Sequence, residues 1–504
     1  MTSPATPSQI PTSRTSFGLA GHPPGLSTLF FVELWERFSY YGMRALLTLF
    51  MVAPIAAGGL GFATEDATRI YGNYTMAVYL LPLAGGFIAD HYLGLRRATF
   101  LGGLIITAGH FTLAMPTEQT FYLGLALIVI GTGLFKPCIS AFVGALYGAN
   151  DDRRDAGFSI FYLGINLGAF LAPLLTGFLA QSETFKAWLA ANGFDPTQSW
   201  HWGFGAAGVG MLIGLLLFWR RMDSQLAGIG LPPEKPKDTR KTILQTGALV
   251  VGSLVLMGII LLSDIDGFQW VRALFVLAPL AGIIWFAMHG GYDGQRIAAI
   301  LVLFIASMVF WAIFEQMGSA MSLFADRYTD NTINGWDMPS SYYQSLNPLF
   351  VILLAPIFAI LWTRLGPRQP SSPVKFAFGL LLLCLSFLLM VPAAQLAVEG
   401  KVSPLWLVGL FFLQTAGELC LSPVGLSTIT KLAPVKFVAF ALGVWFLSAS
   451  WGSKLAGILS SNFDASDPAG LTSFFLVQAA LVAVATLLMF AVSPWVKKLM
   501  GDVR

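Results

Sequence analysis

Long apolar segments separated by short polar connections run through almost the whole chain. A helix needs about 20 mostly apolar residues to cross a bilayer, and fourteen segments meet that requirement. They lie near residues 26–55, 68–90, 97–115, 120–147, 156–181, 201–219, 243–263, 270–289, 297–325, 341–364, 374–394, 404–430, 437–460 and 470–495. The pattern predicts an all-α polytopic membrane protein with 14 transmembrane helices.

A short repeat and one long polar linker divide these helices into two halves. The second segment ends in DHYLGLRR (90–97) and the tenth in WTRLGPR (362–368), so both place Leu-Gly-x-Arg at a helix exit. If the seventh and eighth segments are an insertion, the tenth segment occupies the same position in the second half as the second segment does in the first. Two related halves around a central site are typical of secondary transporters. The predicted units are a tail (1–25), a six-helix bundle (26–219), a linker (220–242), an extra helix pair (243–289), a second six-helix bundle (297–495) and a tail (496–504).

Basic residues predict the orientation in the membrane. Of the 29 Lys and Arg, about twenty fall on one side and about five on the other, and the richer side is cytoplasmic by the positive-inside rule. Both termini are then cytoplasmic. The first 25 residues are rich in Pro, Ser and Thr and lack an apolar signal region, so we expect a disordered cytoplasmic tail rather than a signal peptide.

Composition excludes several classes of function. The chain is 56% hydrophobic and only 11% charged, and a net charge of +3 gives no argument for nucleic acid. The three Cys lie in apolar segments and are expected to be core residues rather than a disulfide framework. No phosphate-binding loop, HExxH motif or His cluster is present in the sequence. We therefore expect no enzyme activity, no metal and no cofactor.

The first apolar segment carries an unusual charged stripe. Its members share one helical face: Glu33, Glu36, Arg37, Tyr40, Tyr41 and Arg44. A charge at the centre of a membrane helix costs about 2.5–3.5 kcal/mol, so this face must line water or paired charges. The alternative is an internal salt bridge that only locks the helix to a neighbour. The stripe favours a polar pathway through the membrane.

Further polar side chains lie in other apolar segments. Lys136, Glu315 and Glu418 are each isolated from other charges on their own helix. Such a group must find a partner on another helix or become neutral, and a buried carboxyl can carry a proton. Static interhelical ion pairs are the alternative. Asn166 and Asn347 also lie within segments, either lining a cavity or joining helices by hydrogen bonds.

The segment GGFIADHYLGLRR (85–97) places charges of both signs at one helix exit. Asp90 precedes a Gly turn, and Arg96 and Arg97 follow it. These residues could latch helix ends together in one conformation and are the candidate gating residues. A topology anchor with a helix cap is the alternative.

Several motifs resemble those of one transporter family. ELWERFSYYG (33–42) resembles the first-helix ExxER signature of the proton-dependent oligopeptide transporters, a branch of the major facilitator superfamily. The other matching motifs, in order, are GGFIADHYLGLRR, DAGFSIFYLGINLGAFLAPL (155–174), FWAIFEQMGS (310–319), QSLNPLF (344–350) and GELCLSPVGLSTITKLAP (417–434). The resemblance implies the major facilitator fold, two six-helix bundles with two extra helices between them.

The resemblance also implies residue roles. Residues matched to proton coupling are Glu33, Glu36, Arg37, Lys136 and Glu315. Residues matched to peptide binding are Arg37, Tyr40, Tyr41, Arg44, Tyr79, Lys136, Asn166, Asn347, Glu418, Trp445 and Ser448; Lys454 lies on the same helix as the last two. Two departures are Cys138, where the family often has Asn, and Gly72, where animal members carry His.

These observations predict a proton-coupled symporter that imports di- and tripeptides by alternating access, and that is expected to be monomeric. Its partners would be small peptides, protons and the lipid bilayer. One alternative is a carrier of another small solute, such as nitrate or a modified amino acid. A second alternative is a membrane receptor or channel without alternating access, which buried charges in both halves disfavour.

Overall fold

The computed structural model describes residues 21–148, 151–232, 294–432, 438–464 and 466–501, with four isolated positions between 233 and 293. The predicted extra helix pair at 243–289 and most of the predicted N-terminal tail lie outside the described residues.

The first half of the described chain forms six membrane crossings and one short helix. The helices are α1 (Pro24–Val52), α2 (Thr64–Leu80), α3 (Pro82–Ile88), α4 (Gly94–Leu113), α5 (Glu118–Ala145), α6 (Arg154–Gln181), α7 (Glu183–Ala191) and α8 (Ser199–Gln225). Helices α2 and α3 together form one crossing, and α7 is too short to span a bilayer.

The second half contains six further crossings. Its helices are α9 (Gly294–Phe314), α10 (Ala320–Arg327), α11 (Leu346–Leu365), α12 (Ser372–Ala397), α13 (Leu405–Leu432), α14 (Val438–Ser460) and α15 (Pro468–Leu499). A hairpin of β1 (Thr332–Ile333) and β2 (Trp336–Asp337) connects α10 to α11, with Thr332 opposite Asp337. Its turn residues Asn334 and Gly335 both have positive φ, as a tight two-residue hairpin requires.

Apolar composition and helix length confirm the all-α membrane architecture. Nine helical segments in the described part of the chain are long and apolar enough to cross a bilayer. The predicted ninth span, 297–325, is not one continuous helix. A 3-10 turn at Glu315–Gly318 separates α9 from α10 and brings Glu315 to the break.

Proline and capping residues explain where several helices begin and end. Pro24 occupies the first turn of α1, where a missing N–H costs nothing, and Pro54 follows its last turn. The Thr117 side chain accepts a hydrogen bond from the Thr120 N–H at 3.2 Å and caps α5.

Small residues let α6 pack closely against α1, the helix that carries the charged stripe. Helix α6 approaches α1 at Gly168, where an added Cβ would lie 2.2 Å from the Leu34 carbonyl oxygen and 3.2 Å from the Arg37 Cβ. Gly, Ala and Ser commonly allow such backbone approach between membrane helices. Gly168 therefore fixes the backbone against which Arg37 packs.

The two bundles touch at the end where α1 stops, called here the α1-exit end. Contacts that cross between the bundles there include Arg44 with Glu315, Thr48 Oγ1 donating to the Gly318 carbonyl (2.8 Å), Ser450 Oγ donating to the Met76 carbonyl (2.9 Å), and Gly72 against Gly457. These contacts hold the bundles together at that end of the molecule.

Candidate functional site

The stripe on α1 is a network of buried ion pairs. Arg37 Nε lies 3.1 Å from Glu33 Oε1 and also donates to Glu36 Oε2. The three side chains are at most 7% exposed. Two carboxylates therefore share one guanidinium, and each retains one oxygen with no hydrogen-bond partner among the described residues.

About two turns beyond Arg37 on α1, Arg44 reaches the other bundle. Its guanidinium pairs with Glu315 and its Nε donates to the Tyr71 hydroxyl at 2.5 Å. Arg44 is 5% and Glu315 3% exposed. The 3-10 turn after α9 places the Glu315 carboxylate against α1, so this ion pair joins the two bundles directly.

Lys136 lies beside the stripe rather than in a direct ion pair. Its Nζ is 3.8 Å from the centroid of the Tyr79 ring, a cation–π geometry. Within the described part of the chain, no carboxylate comes within ion-pair distance of it, but Glu33 and Glu36 are close enough to interact electrostatically. Because the Lys136 ammonium contacts no carboxylate, it can bind an anionic group of a ligand.

The second bundle contributes an acidic pole. Asn347 Nδ2 donates to Glu418 Oε2 and to Thr415 Oγ1, both at 3.0 Å, which joins α11 to α13. Asn166, which lies on α6 of the first bundle, donates to the carbonyl of Tyr162 on its own helix at 3.0 Å. Tyr162 itself lies close enough to Glu418 to interact electrostatically.

Tyr41 connects the cationic and acidic poles. This half-buried residue interacts electrostatically with Arg37 and Arg44 of its own bundle and with Glu315 and Glu418 of the other. Charged groups of both bundles therefore lie near Tyr41. Their individual roles in binding and proton coupling remain predictions.

Three predicted residues of the second bundle pack elsewhere. Trp445 is buried against Gly425 and the Phe376 ring, and Ser448 Oγ lies 2.8 Å from Ser307 Oγ. Lys454 donates to Asn73 Oδ1 at 2.5 Å, across the bundle interface.

The candidate gating residues are placed within the first bundle. Arg96 donates to Asp223 Oδ1 at 3.0 Å, to the Ile229 carbonyl at 2.8 Å and to the Leu226 carbonyl. Asp90 and Arg97 are exposed. Arg96 therefore binds the end of α8 and the start of the linker, and not Asp90.

Sequence reasoning missed three tyrosines at this site, Tyr71, Tyr74 and Tyr162. All lie in apolar spans, where an aromatic residue usually indicates core packing. One signal was available: Tyr162 and Asn166 are four residues apart and share a helix face.

The described residues contain no group of three or more His, Cys, Asp or Glu side chains that could hold a metal. Cys138, Cys384 and Cys420 are free and buried. The site instead offers protonatable carboxylates, fixed cations and amide and phenol hydrogen-bonding groups.

A family model described as the POT family matches residues 96–236 and 247–498. The chain belongs to the POT family. This match does not include the first-helix motif at 33–42, so the charged stripe is additional evidence for the family. As a POT-family member the protein is a multi-pass membrane transporter.

Full-length similarity extends to named POT-family proteins. The peptide transporter YePEPT of Yersinia enterocolitica is 38% identical, covering 99% of each chain. A di-/tripeptide transporter of Lactococcus lactis is 38% identical, covering 98% of this chain and 99% of the other. A crystal structure of a mutant peptide transporter POT with alafosfalin has a TM-score of 0.86 and 40% identity, covering 96% and 97% of the two chains.

Proposed function

We propose that this POT-family protein imports di- and tripeptides together with protons by alternating access. The observation that carries the proposal is the buried Arg44–Glu315 ion pair, which brings charged side chains of the two bundles into direct contact. Arg37 and Lys136 of the first bundle would bind the peptide carboxylate. Glu418, oriented by Asn347, would bind the peptide amino group.

Peptide length explains why such a chamber would select short peptides. Each residue spans at most about 3.3–3.6 Å, so the terminal charges of a di- or tripeptide lie about 7–11 Å apart. A zwitterion of that length bridges the two bundles and favours their closure. Because recognition uses the termini and backbone, many side chains would be accepted.

The names of the relatives support this substrate class. The Yersinia and Lactococcus proteins are named peptide and di-/tripeptide transporters. They do not favour the alternative of a nitrate or modified amino acid carrier.

Proton coupling would use carboxyl groups and no cofactor. Glu33 and Glu36 share Arg37, and Glu315 holds Arg44 across the bundle interface. Protonation of Glu315 would weaken the ion pair that joins the bundles, and protonation of Glu33 or Glu36 would free Arg37 to bind the peptide carboxylate. A proton gradient would thereby supply the driving force.

The proposed orientation places both termini in the cytoplasm of a bacterial cell, with the protein monomeric in the inner membrane. Arginines concentrate at the end of the bundle opposite the α1-exit end: Arg96, Arg97, Arg153, Arg154, Arg220 and Arg221. By the positive-inside rule that end is cytoplasmic. The α1-exit end is then external, and the contacts between the bundles close it.

Uptake of labelled dialanine into proteoliposomes tests the proposal. An inward proton gradient should drive accumulation, which unlabelled di- and tripeptides should inhibit but nitrate and free alanine should not. Inhibition by nitrate alone would favour the other carrier function. Uptake that is unchanged when the gradient is collapsed would reject proton coupling.

A further inference from the structure

Three polar atoms between α1 and α2 lack hydrogen-bond partners. They are Glu36 Oε1, the Tyr40 hydroxyl and the Tyr74 hydroxyl, and none has a partner among the described residues. Glu36 is 0%, Tyr40 3% and Tyr74 4% exposed. The other Glu36 oxygen is occupied, since it accepts from Arg37 Nε.

These atoms belong to one small region. Tyr40 follows Glu36 by one helical turn on α1, so the two side chains share a face. The Tyr74 ring is stacked on the Tyr40 ring, with centroids 6.5 Å apart and planes at 24°. Tyr74 is also close enough to Glu36 to interact electrostatically.

Hydrogen-bonding chemistry indicates which molecule could bind to these three atoms. A buried hydroxyl or carboxylate oxygen without a hydrogen bond is costly, and buried water molecules commonly satisfy about three such groups each. A water molecule can accept hydrogen bonds from both phenols and donate one to the carboxylate oxygen. Each of the three partnerless atoms then has a hydrogen-bond partner.

We propose that Glu36, Tyr40 and Tyr74 form a binding site for one buried water molecule, through which Glu36 gains and loses its proton. The inference deepens the proposed function and rests on it. On loading, a water O–H bond breaks as Oε1 gains the proton. The Tyr40 hydroxyl releases its hydrogen bond to the water, and the lone pair so freed takes a replacement proton from a hydronium ion, so the net reaction is hydronium plus carboxylate to water plus carboxylic acid.

Tyr74 is the positioning residue of this site. Tyr40 lies on the predicted peptide-binding stripe, whereas Tyr74 is on α2 and is buried behind it. The charged groups around the site are Glu33, Arg37 and Arg44 from α1, Lys136 from α5 and Glu315 from the second bundle. Removing the Tyr74 hydroxyl leaves all of these charges in place.

Transport by reconstituted Tyr74→Phe tests the proposal by deleting one oxygen atom. We expect gradient-driven dialanine accumulation to fall about tenfold, as for loss of one hydrogen bond in a charged network. Counterflow at equal pH on both sides should stay within about twofold of the parent, since the peptide contacts are intact. Tyr122→Phe is the matched control, because the Tyr122 side chain is 45% exposed on α5, and it should match the parent in both assays. Parental accumulation in Tyr74→Phe, or equal loss of accumulation and counterflow, would overturn the proposal.

An infrared measurement separates this site from the function as a whole. Acidification of the parent should produce a carboxylic C=O band that is absent in Glu36→Gln. The band should shift in Tyr74→Phe, because the water bound to the carboxyl is lost or displaced. An unshifted band overturns the water site whether or not the parent transports peptides. Loss of gradient-driven uptake in the parent would instead reject the proposed function.

Discussion

Arg44 and Glu315 form a buried ion pair that joins the first helix of one bundle to the first helix of the other. The pair lies 271 residues apart in sequence, and Tyr71 supports it from α2. Any movement that separates the bundles at the α1-exit end must break it. Loss of the charge on Glu315 would therefore weaken a contact that keeps the two bundles together at this end.

Replacing Glu315 with Gln should weaken this contact and impair transport. Removing one partner of a buried ion pair typically costs about 3–5 kcal/mol, and Arg44 would remain charged and buried. We expect a lower melting temperature and at least about a tenfold loss of gradient-driven uptake.

Glu183→Gln is the control for that variant. Glu183 pairs with Lys186 at 2.8 Å on the exposed helix α7, where an ion pair contributes about 0–1 kcal/mol. It should leave uptake and melting temperature nearly unchanged. Equal behaviour of the two variants would show that the Arg44–Glu315 pair has no special role.

Replacing Glu418 with Gln should weaken binding of the peptide amino group. Asn347, which is itself bonded to Thr415, would keep the side chain in place, but its negative charge would be lost. We expect the KM for dialanine to rise about tenfold, equivalent to about 1.4 kcal/mol. Glu399→Gln, on an exposed residue, is the control. N-acetyl-dialanine carries no ammonium, so an equal rise in its half-inhibitory concentration would contradict the assignment.

A methyl group at Gly72 should open the α1-exit end. An added Cβ would lie 2.8 Å from the Gly457 Cα and 3.1 Å from the Ser453 carbonyl oxygen, both backbone atoms of the other bundle. In Gly72→Ala, an introduced Thr48→Cys should react faster with a membrane-impermeant thiol reagent added outside. Gly205→Ala is the control, since the nearest atom to its added Cβ is 3.8 Å away. Identical labelling in both backgrounds would show that this contact does not close the end.

The loop between α5 and α6 should not contribute to the pH dependence of uptake. Hydrogen bonds from Arg153 lower the pKa of Asp151 from 3.8 to about 2. A lowered pKa stabilises the folded state above the unfolded value of 3.8, and this contribution is lost as the pH falls through about 2. Because the pair is exposed, the melting temperatures of Asp151→Asn and the parent should differ only slightly at neutral pH and converge toward pH 2. The variant should keep the parental pH profile of uptake, and a shifted profile would contradict this assignment.

The sequence alone predicted those features whose free-energy cost arises within a single segment of the chain. Four charges in one apolar segment are expensive wherever the helix packs, so Glu33, Glu36, Arg37 and Arg44 identified the site without a structure. The positions of the helices could likewise be predicted from the lengths of the apolar segments.

Partners distant in sequence could not be predicted from the pattern. Neither the choice of Glu315 for Arg44 nor the contact of Arg96 with the end of α8 leaves a local signal, because both depend on how helices are arranged. Tyr71 and Tyr74 resemble ordinary core residues in an apolar span. The break at Glu315–Gly318 was missed since its residues are compatible with a continuous helix.

Gradient-driven accumulation of labelled dialanine by Glu36→Gln, measured beside counterflow in the same proteoliposomes, tests the central claim most directly. Glu36 is fully buried and shares Arg37 with Glu33, so an uncharged amide there removes a titrating group while keeping the side chain's shape. The account predicts that accumulation is abolished and counterflow is partly retained. Full gradient-driven accumulation by this variant would contradict it.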